Sequence, residues 1–224
     1  MDANETASRQ ALLQVLTTEH FTLQGARAVA MSEVSARASI YLSAVSSAVV
    51  ALALVTSLAQ TEEMIRAFAL VLLPIVAFMG FVTKARLIQL SRTDFHYQRA
   101  INRIRHAYVD AAPESARYFL LSIHDDVPGV VESSVFQRGR RMGVLTAAQM
   151  IGVVNYVIVG LAAGIVIGWL TGATAWLSIV MGIVVGLAVA LWDFRREEAQ
   201  WRQYVATFDV LFPSPEEVEE RRAS

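Results

Sequence analysis

The sequence has no cysteine among its 224 residues. A disulfide framework, a thiolate zinc site and a cysteine nucleophile are therefore excluded, although any redox compartment remains open. Charge is also scarce, because only 17% of the residues are Asp, Glu, Lys or Arg, against about 25% in globular domains. The net charge of -1 argues against a nucleic-acid binder, which needs a basic excess. With 55% hydrophobic residues and a mean hydropathy of +0.45, the composition favours a protein with several membrane spans.

The longest stretch without charge runs from residue 142 to residue 192, between Arg141 and Asp193. The sequence Thr171-Gly172-Ala173-Thr174, which predicts a tight turn, interrupts it near the middle. Each half has about 20 residues, which as a helix with a rise of ~1.5 Å per residue crosses a hydrocarbon core of roughly 30 Å. The pattern predicts a membrane hairpin with spans at about 148–170 and 173–192.

A second hairpin is expected nearer the N-terminus, with spans at 39–58 and 67–83. The second of these spans is short, and we expect its flanking cations, Arg66 and Lys84, to snorkel towards the headgroups. Pro74 at its centre should free one backbone carbonyl and kink the helix. The loop between the two spans should contain the charged residues Glu62, Glu63 and Arg66.

A polar helix is predicted to follow from Lys84 to Ala112. Its hydrophobic positions alternate at spacings of three and four, which is typical of a coiled-coil seam. The seam consists of Leu87, Leu90, Asp94, Tyr97, Ile101, Ile104, Tyr108 and Ala111. Asp94 is an acidic intruder that could fix register or partner number, although an ion pair with Arg99, Arg103 or a neighbouring helix is the simpler explanation.

The remaining polar segments are also expected to be helical. Residues 6–37 have a mildly amphipathic seam that is interrupted by His20 and Arg27, and a second helix could begin at Thr17 or Thr18. Another helix should start at Pro113 and end near His124, where residues 124–129 predict a turn. Beyond Asp193, one helix face should carry Trp201, Val205, Phe208 and Phe212. Ser214 and Pro215 have the signature of a helix start.

These patterns divide the chain into five segments. They are the N-terminal helix at 1–38, the first hairpin at 39–83, a helical stalk and linker at 84–147, the glycine-rich hairpin at 148–192, and the C-terminal helix and tail at 193–224. The predicted fold is all-α, a four-helix transmembrane bundle of two hairpins with cytosolic helical extensions.

Topology follows from the positive-inside rule. Of the 19 Lys and Arg residues, only Arg66 falls in a loop on the opposite side. Both termini and the 84–147 segment should therefore be cytosolic, in the cytoplasmic (inner) membrane, with Arg138, Arg140 and Arg141 at the inner headgroups. The first thirty residues contain no apolar stretch typical of a signal peptide, so we expect the first span to direct insertion.

The glycine-rich hairpin contains small residues at every fourth position: Gly160, Gly164 and Gly168 in its first span, and Ser178, Gly182, Gly186 and Ala190 in its second. In lipid, such spacing lets helix backbones approach closely. Two interpretations stay open, namely packing inside one subunit and a glycine-lined contact between subunits.

No ionisable residue lies inside a predicted span, which disfavours a proton-coupled transporter. The candidate polar residues are Asn155, Ser43 and Ser47, which could line a pore or make hydrogen bonds between helices. Gln149 and Tyr156 lie near the inner end of the third span.

No catalytic residue, metal site or cofactor is predicted. His124-Asp125-Asp126 has no standard ligand spacing with His96 or His106, so it is interpreted as a solvated turn. The run of Arg99, Arg103 and Arg105 is expected to face solvent or headgroups. No glycine-rich phosphate loop, nucleophile elbow or carboxylate pair is present, which argues against an enzyme.

The segments Thr18–Arg27 and Ser32–Leu42, just before the first span, resemble a bacterial family of uncharacterised integral membrane proteins. That resemblance implies location only. The layout of a basic helix leading into a two-span hairpin is also similar to the SLATT domains, membrane effectors of nucleotide-signalling conflict systems. This second likeness is one of architecture and implies no site residues.

The function expected from these observations is non-enzymatic. The leading hypothesis is a homo-oligomeric integral membrane protein acting as a channel or pore-forming effector. The alternative is a non-conducting scaffold whose cytosolic helices bind a protein partner. The expected partners are the lipid bilayer, further copies of the chain and a cytosolic protein, with no nucleic acid.

Overall fold

The computed structural model describes residues 3–59, 61–133 and 146–223. Helices account for all regular secondary structure in these ranges, so the predicted all-α class is confirmed. The α-helices are α1 (Ala3–Leu58), α2 (Glu62–Ala111), α3 (Val127–Ser133), α4 (Ala147–Thr171), α5 (Ala175–Ala206) and α6 (Pro215–Ala223), with a 3-10 helix at Pro113–Tyr118.

Four of the helices, α1, α2, α4 and α5, are long and apolar enough to cross a membrane. The most apolar 18 consecutive residues of each have a mean hydropathy between 2.1 and 2.3, as is typical of helices embedded in lipid. The predicted four-helix membrane bundle is therefore confirmed by helix length and composition.

The first two spanning helices are longer than their spans. α1 continues without a break past Thr17 and Gly25, so the alternative helix start at Thr17 is wrong. α2 begins at Glu62, so the expected loop around Glu62 and Glu63 is also wrong. These two carboxylates lie in the first turn of α2, where the helix dipole favours negative charge. α2 also continues through Pro74, and the kink there stays a prediction.

The middle of the chain differs most from expectation. The helix predicted from Pro113 to His124 is only a 3-10 turn that ends at Tyr118. The predicted turn at residues 124–129 instead contains the start of α3, because the Asp126 carboxylate accepts a 2.8 Å hydrogen bond from the Gly129 N–H and so caps that helix. Arg138, Arg140 and Arg141 lie outside the described residues.

At the C-terminal end, α5 is one helix that ends at Ala206. Phe208 and Phe212 therefore lie beyond it, and the predicted four-residue helix face is wrong in its second half. The start of α6 is as predicted: Pro215 is its first residue, and the Ser214 hydroxyl accepts a 3.4 Å hydrogen bond from the Glu217 N–H.

Two compact units are built from separate parts of the chain. We call residues 34–89 with 144–203 the span unit, because they include the apolar parts of all four spanning helices. We call residues 1–33, 90–143 and 204–224 the polar unit.

The polar unit contains an antiparallel pair formed by the N-terminal part of α1 and the C-terminal part of α2. Arg27 Nε lies 2.6 Å from Asp94 Oδ1, and the Tyr108 hydroxyl donates a 3.3 Å hydrogen bond to Thr17. Asp94 is therefore paired with a neighbouring helix, as the simpler sequence explanation expected. The predicted seam is divided between the units: Ile101 and Ile104 are buried in the polar unit, where Tyr97 is half-buried, and Leu87 is buried in the span unit.

Candidate functional site

Lys84, at the end of the second predicted span, has a side chain that is only 5% exposed. Its ammonium donates hydrogen bonds to the Tyr156 hydroxyl at 2.6 Å and to Asp193 Oδ2 at 2.5 Å, and it pairs with the Glu197 carboxylate. The Lys84 side chain is thus enclosed between helices, whereas its expected snorkelling towards the headgroups stays a prediction. The backbone makes room for it at Gly152, where a Cβ atom would lie 3.1 Å from the lysine Cε.

Two more polar contacts complete this group, which we call the Lys84 cluster: Lys84, Gln149, Tyr156, Asp193 and Glu197. The Tyr156 hydroxyl donates a 2.5 Å hydrogen bond to Asp193, and the Gln149 amide donates one of 2.6 Å to Glu197. Asp193 and Glu197 are four residues apart, so they share one face of α5. One ammonium and two carboxylates thus connect α2, α4 and α5.

A second buried polar contact connects α1 to α4. Tyr41 and Asn155 are 0% and 1% exposed, and the tyrosine hydroxyl donates a 3.3 Å hydrogen bond to the asparagine Oδ1. Gly80 of α2 lies against this pair, since a Cβ atom on it would be 2.1 Å from Asn155 Oδ1 and 2.8 Å from the Tyr41 hydroxyl. Together with the Lys84 cluster, this pair connects all four spanning helices of the span unit.

The predicted polar residues of the spans are not brought to one place. Asn155 makes the hydrogen bond between helices that sequence reasoning offered for it. Ser43 and Ser47 lie on an exposed face of α1, where the Ser47 hydroxyl donates a 2.9 Å hydrogen bond to the Ser43 carbonyl of its own helix. Within one chain they therefore do not join Asn155.

Sequence reasoning missed the charged members of the cluster because each lies just beyond the end of an apolar span. The predicted span interiors contain no Asp, Glu, Lys or Arg, and a charge at a span end ordinarily reaches water or headgroups. The available signal was the spacing of Asp193 and Glu197, which places two carboxylates on one helix face at the same end of the bundle as Lys84.

The predicted small residues lie where α4 meets α5 within one chain. A Cβ atom on Gly160 would lie 2.7 Å from the Gly182 carbonyl oxygen, and one on Gly164 would lie 2.8 Å from the Ser178 carbonyl oxygen. The contact also includes Gly168 against the Ser178 hydroxyl and Gly186 against the Tyr156 carbonyl. The alternative contact between subunits stays a prediction.

The polar unit contains a second charged cluster, at residues that sequence reasoning placed in solvent. Asp125 is 0% exposed, and its carboxylate accepts hydrogen bonds from Phe212 N–H at 2.7 Å, Leu211 N–H at 3.2 Å and Arg103 Nε at 2.6 Å. Burial alone would raise the pKa of the Asp125 carboxyl, but these hydrogen bonds outweigh it and hold the pKa below its ordinary value of 3.8.

The neighbouring Asp126 and Arg99 are buried as well, so the predictions of a solvated turn and a solvated arginine face are wrong at these positions. Asp126 accepts a 2.5 Å hydrogen bond from the Ser214 N–H. The Arg99 guanidinium donates to the Asp125 carbonyl at 2.7 Å and to the Asp209 carbonyl at 2.9 Å. Asp125 and Asp126 therefore both bind the backbone of the segment at 209–214.

This second cluster is fully occupied by groups of the chain itself, which favours a structural role. Among the described residues, there is no group of three or more His, Cys, Asp or Glu side chains that could hold a metal ion. The Lys84 cluster is the stronger functional candidate, because ionisable groups enclosed by spanning helices are costly and can interact with an ion.

Comparison with protein-family models, with curated proteins and with solved structures finds no match to this chain.

Proposed function

We propose that the chain is the subunit of a non-enzymatic, homo-oligomeric channel in the cytoplasmic (inner) membrane. The observation that carries this proposal is the Lys84 cluster. Charged groups are expensive at the border of the hydrocarbon core, and in membrane proteins they mark pathways for ions and substrates. The membrane-effector role implied by the SLATT likeness belongs to the same proposal.

The interior of the span unit supports a gated pathway. From the Lys84 cluster, buried polar groups continue to Tyr41 and Asn155. Farther along the same helices, the buried side chains are apolar, namely Leu73, Val76 and Ile158. Apolar constrictions can close a channel by excluding water, so this arrangement fits a closed gate.

The exposed face of α1 supports assembly from several copies. Only 6% of the most apolar 18-residue stretch of α1 is buried in a single chain. This is the smallest share among the four spanning helices of the described chain. Ser43 and Ser47 lie on the exposed face, and hydroxyl-bearing small residues favour contact between membrane helices over contact with lipid. We propose that this face contacts a further copy.

We also propose an orientation in the membrane, with both termini in the cytosol. Cytosolic termini would keep all Lys and Arg residues except Arg66 on the cytosolic side, in agreement with the positive-inside rule. The Lys84 cluster would then lie at the cytosolic end of the spans.

The proposal is tested by ion flux into liposomes that contain the purified protein. We expect flux from the natural sequence, and a several-fold change in rate or cation preference for Lys84→Met, which removes the buried ammonium and keeps a long side chain. Arg86→Met, two residues away on a partly exposed position of the same helix, is the matched control and should conduct normally. Vesicles that stay silent although they contain folded oligomers would overturn the proposal.

The runner-up is a non-conducting scaffold that binds a protein partner. It is favoured by exposed apolar side chains on the N-terminal part of α1, where Leu12, Val15 and Phe21 are 56%, 65% and 71% exposed. In that case the Lys84 cluster would serve only to fix helix register. Silent vesicles, together with loss of partner binding in Phe21→Ser, would favour the scaffold.

A further inference from the structure

The α4–α5 hairpin of the span unit forms one side of an open groove of about 930 Å³. Its floor is the glycine contact, where Gly160, Gly164 and Gly182 let the backbones of α4 and α5 approach closely. Its walls include Leu161 and Ile183, which are 49% and 57% exposed in one chain. The volume lies in the range of small-molecule sites, which is about 300–1,000 Å³.

One end of the groove is charged. Glu62 and Arg66, in the first turns of α2, line it together with Trp169. Farther along α2, Lys84 contacts Tyr156, which lies nearer the start of α4. The first turns of α2 therefore lie beside the other end of α4, near the α4–α5 turn. Arg66 Nη2 is 3.2 Å from Glu62 Oε2, and the carboxylate is 87% exposed. The pair therefore keeps donors and acceptors free for another molecule.

We infer that this groove binds one zwitterionic phospholipid that carries a primary ammonium. Its acyl chains would lie along the apolar walls, its phosphate would accept hydrogen bonds from Arg66, and its ammonium would pair with Glu62. A membrane helix of a second copy fits less well, because the spans contain no charged residue that could pair with Glu62 or Arg66. This inference does not depend on whether the chain conducts.

The test is native mass spectrometry of the full chain, taken from nanodiscs of defined lipids. We expect one phosphatidylethanolamine per chain to stay bound under conditions that remove phosphatidylglycerol. Glu62→Gln should lower retention of phosphatidylethanolamine about tenfold, while Arg66→Gln should weaken both lipids. Glu63→Gln, an exposed neighbour outside the groove lining, should retain lipid normally.

A second pair of variants tests the apolar part of the groove. Ile183→Trp should fill it and displace the lipid, whereas Val184→Trp adds the same bulk at an exposed position outside the lining. Normal elution of all variants shows that they fold. Equal retention of both lipids, or lipid binding unchanged in Glu62→Gln and Ile183→Trp, would overturn the inference. So would a lipid-free dimer that Ile183→Trp dissociates.

Discussion

Single buried residues decide how closely the spanning helices approach one another. Gly80 shows this most clearly, because its missing side chain leaves the space that Asn155 and Tyr41 occupy. The hydrogen bond between these two buried polar groups then compensates for the contacts with water that both lose on burial. Close approach and polar contact are thus two consequences of one glycine.

Gly80→Ala should destabilise the span unit by about 1–3 kcal/mol, because the added methyl group overlaps the Asn155 amide and the surrounding side chains are packed. Gly25→Ala is the matched control, since nothing lies within 4 Å of a Cβ atom at that helical position. The control should gain stability, by up to about 1 kcal/mol, from better helix propensity. Thermal unfolding in detergent measures both, and equal midpoints would contradict this account of Gly80.

At the scale of whole helices, the sequence predicts those features that depend on a local pattern of residues. The hydrophobic runs and the Gly172 turn predict the second hairpin, and the structure has Gly172 in the left-handed region at φ 64°. The Ser214-Pro215 start of α6 follows from the same local chemistry. All of these features need only a few neighbouring residues.

Elements whose form depends on distant partners were not predictable in this way. His124-Asp125-Asp126 has the composition of a solvated turn, yet Asp125 is buried because residues 211 and 212 bring backbone N–H groups to it. Lys84 likewise looks like an ordinary interfacial cation until the partners on α5 are known. These contacts join residues that are 86, 87 and 109 positions apart, so no local pattern shows which groups will pair.

The segment at 209–214 should depend on the ionised form of Asp125. Because the folded pKa of this carboxyl lies below its ordinary value of 3.8, its stabilising contribution is fully present above that pH and is lost as the pH falls through the lower, folded value. The protection of the Leu211 and Phe212 amides from hydrogen exchange, relative to an unfolded peptide at the same pH, should therefore fall in strong acid.

Asp125→Asn should release the same segment already at neutral pH, with a loss of about 3 kcal/mol, because Arg103 loses its buried partner. The protection of these amides should then vary less with pH below 3.8 than it does in the natural sequence. Asp110→Asn, at an exposed aspartate, is the control. Unchanged protection in Asp125→Asn would show that the carboxylate does not hold the segment.

At the scale of the whole molecule, each compact unit combines parts that are far apart in sequence. The span unit joins the first hairpin to the second through the buried Lys84 cluster. The polar unit joins the N-terminal part of α1 to the end of α2 and to the C-terminal segment. The proposed channel and the proposed lipid site both require that the four apolar helices lie in lipid, and the proposed orientation requires that both termini and the 84–147 segment lie on the same side.

Cysteine labelling tests these requirements most directly, because the natural chain has no cysteine that could react. Glu63 and Glu114 are both exposed, the first between the first two spans and the second in the 3-10 helix. With a membrane-impermeant maleimide on intact cells, Glu63→Cys should be labelled and Glu114→Cys should react only after the membrane is permeabilised. Labelling of Glu114→Cys in intact cells would contradict the proposed topology.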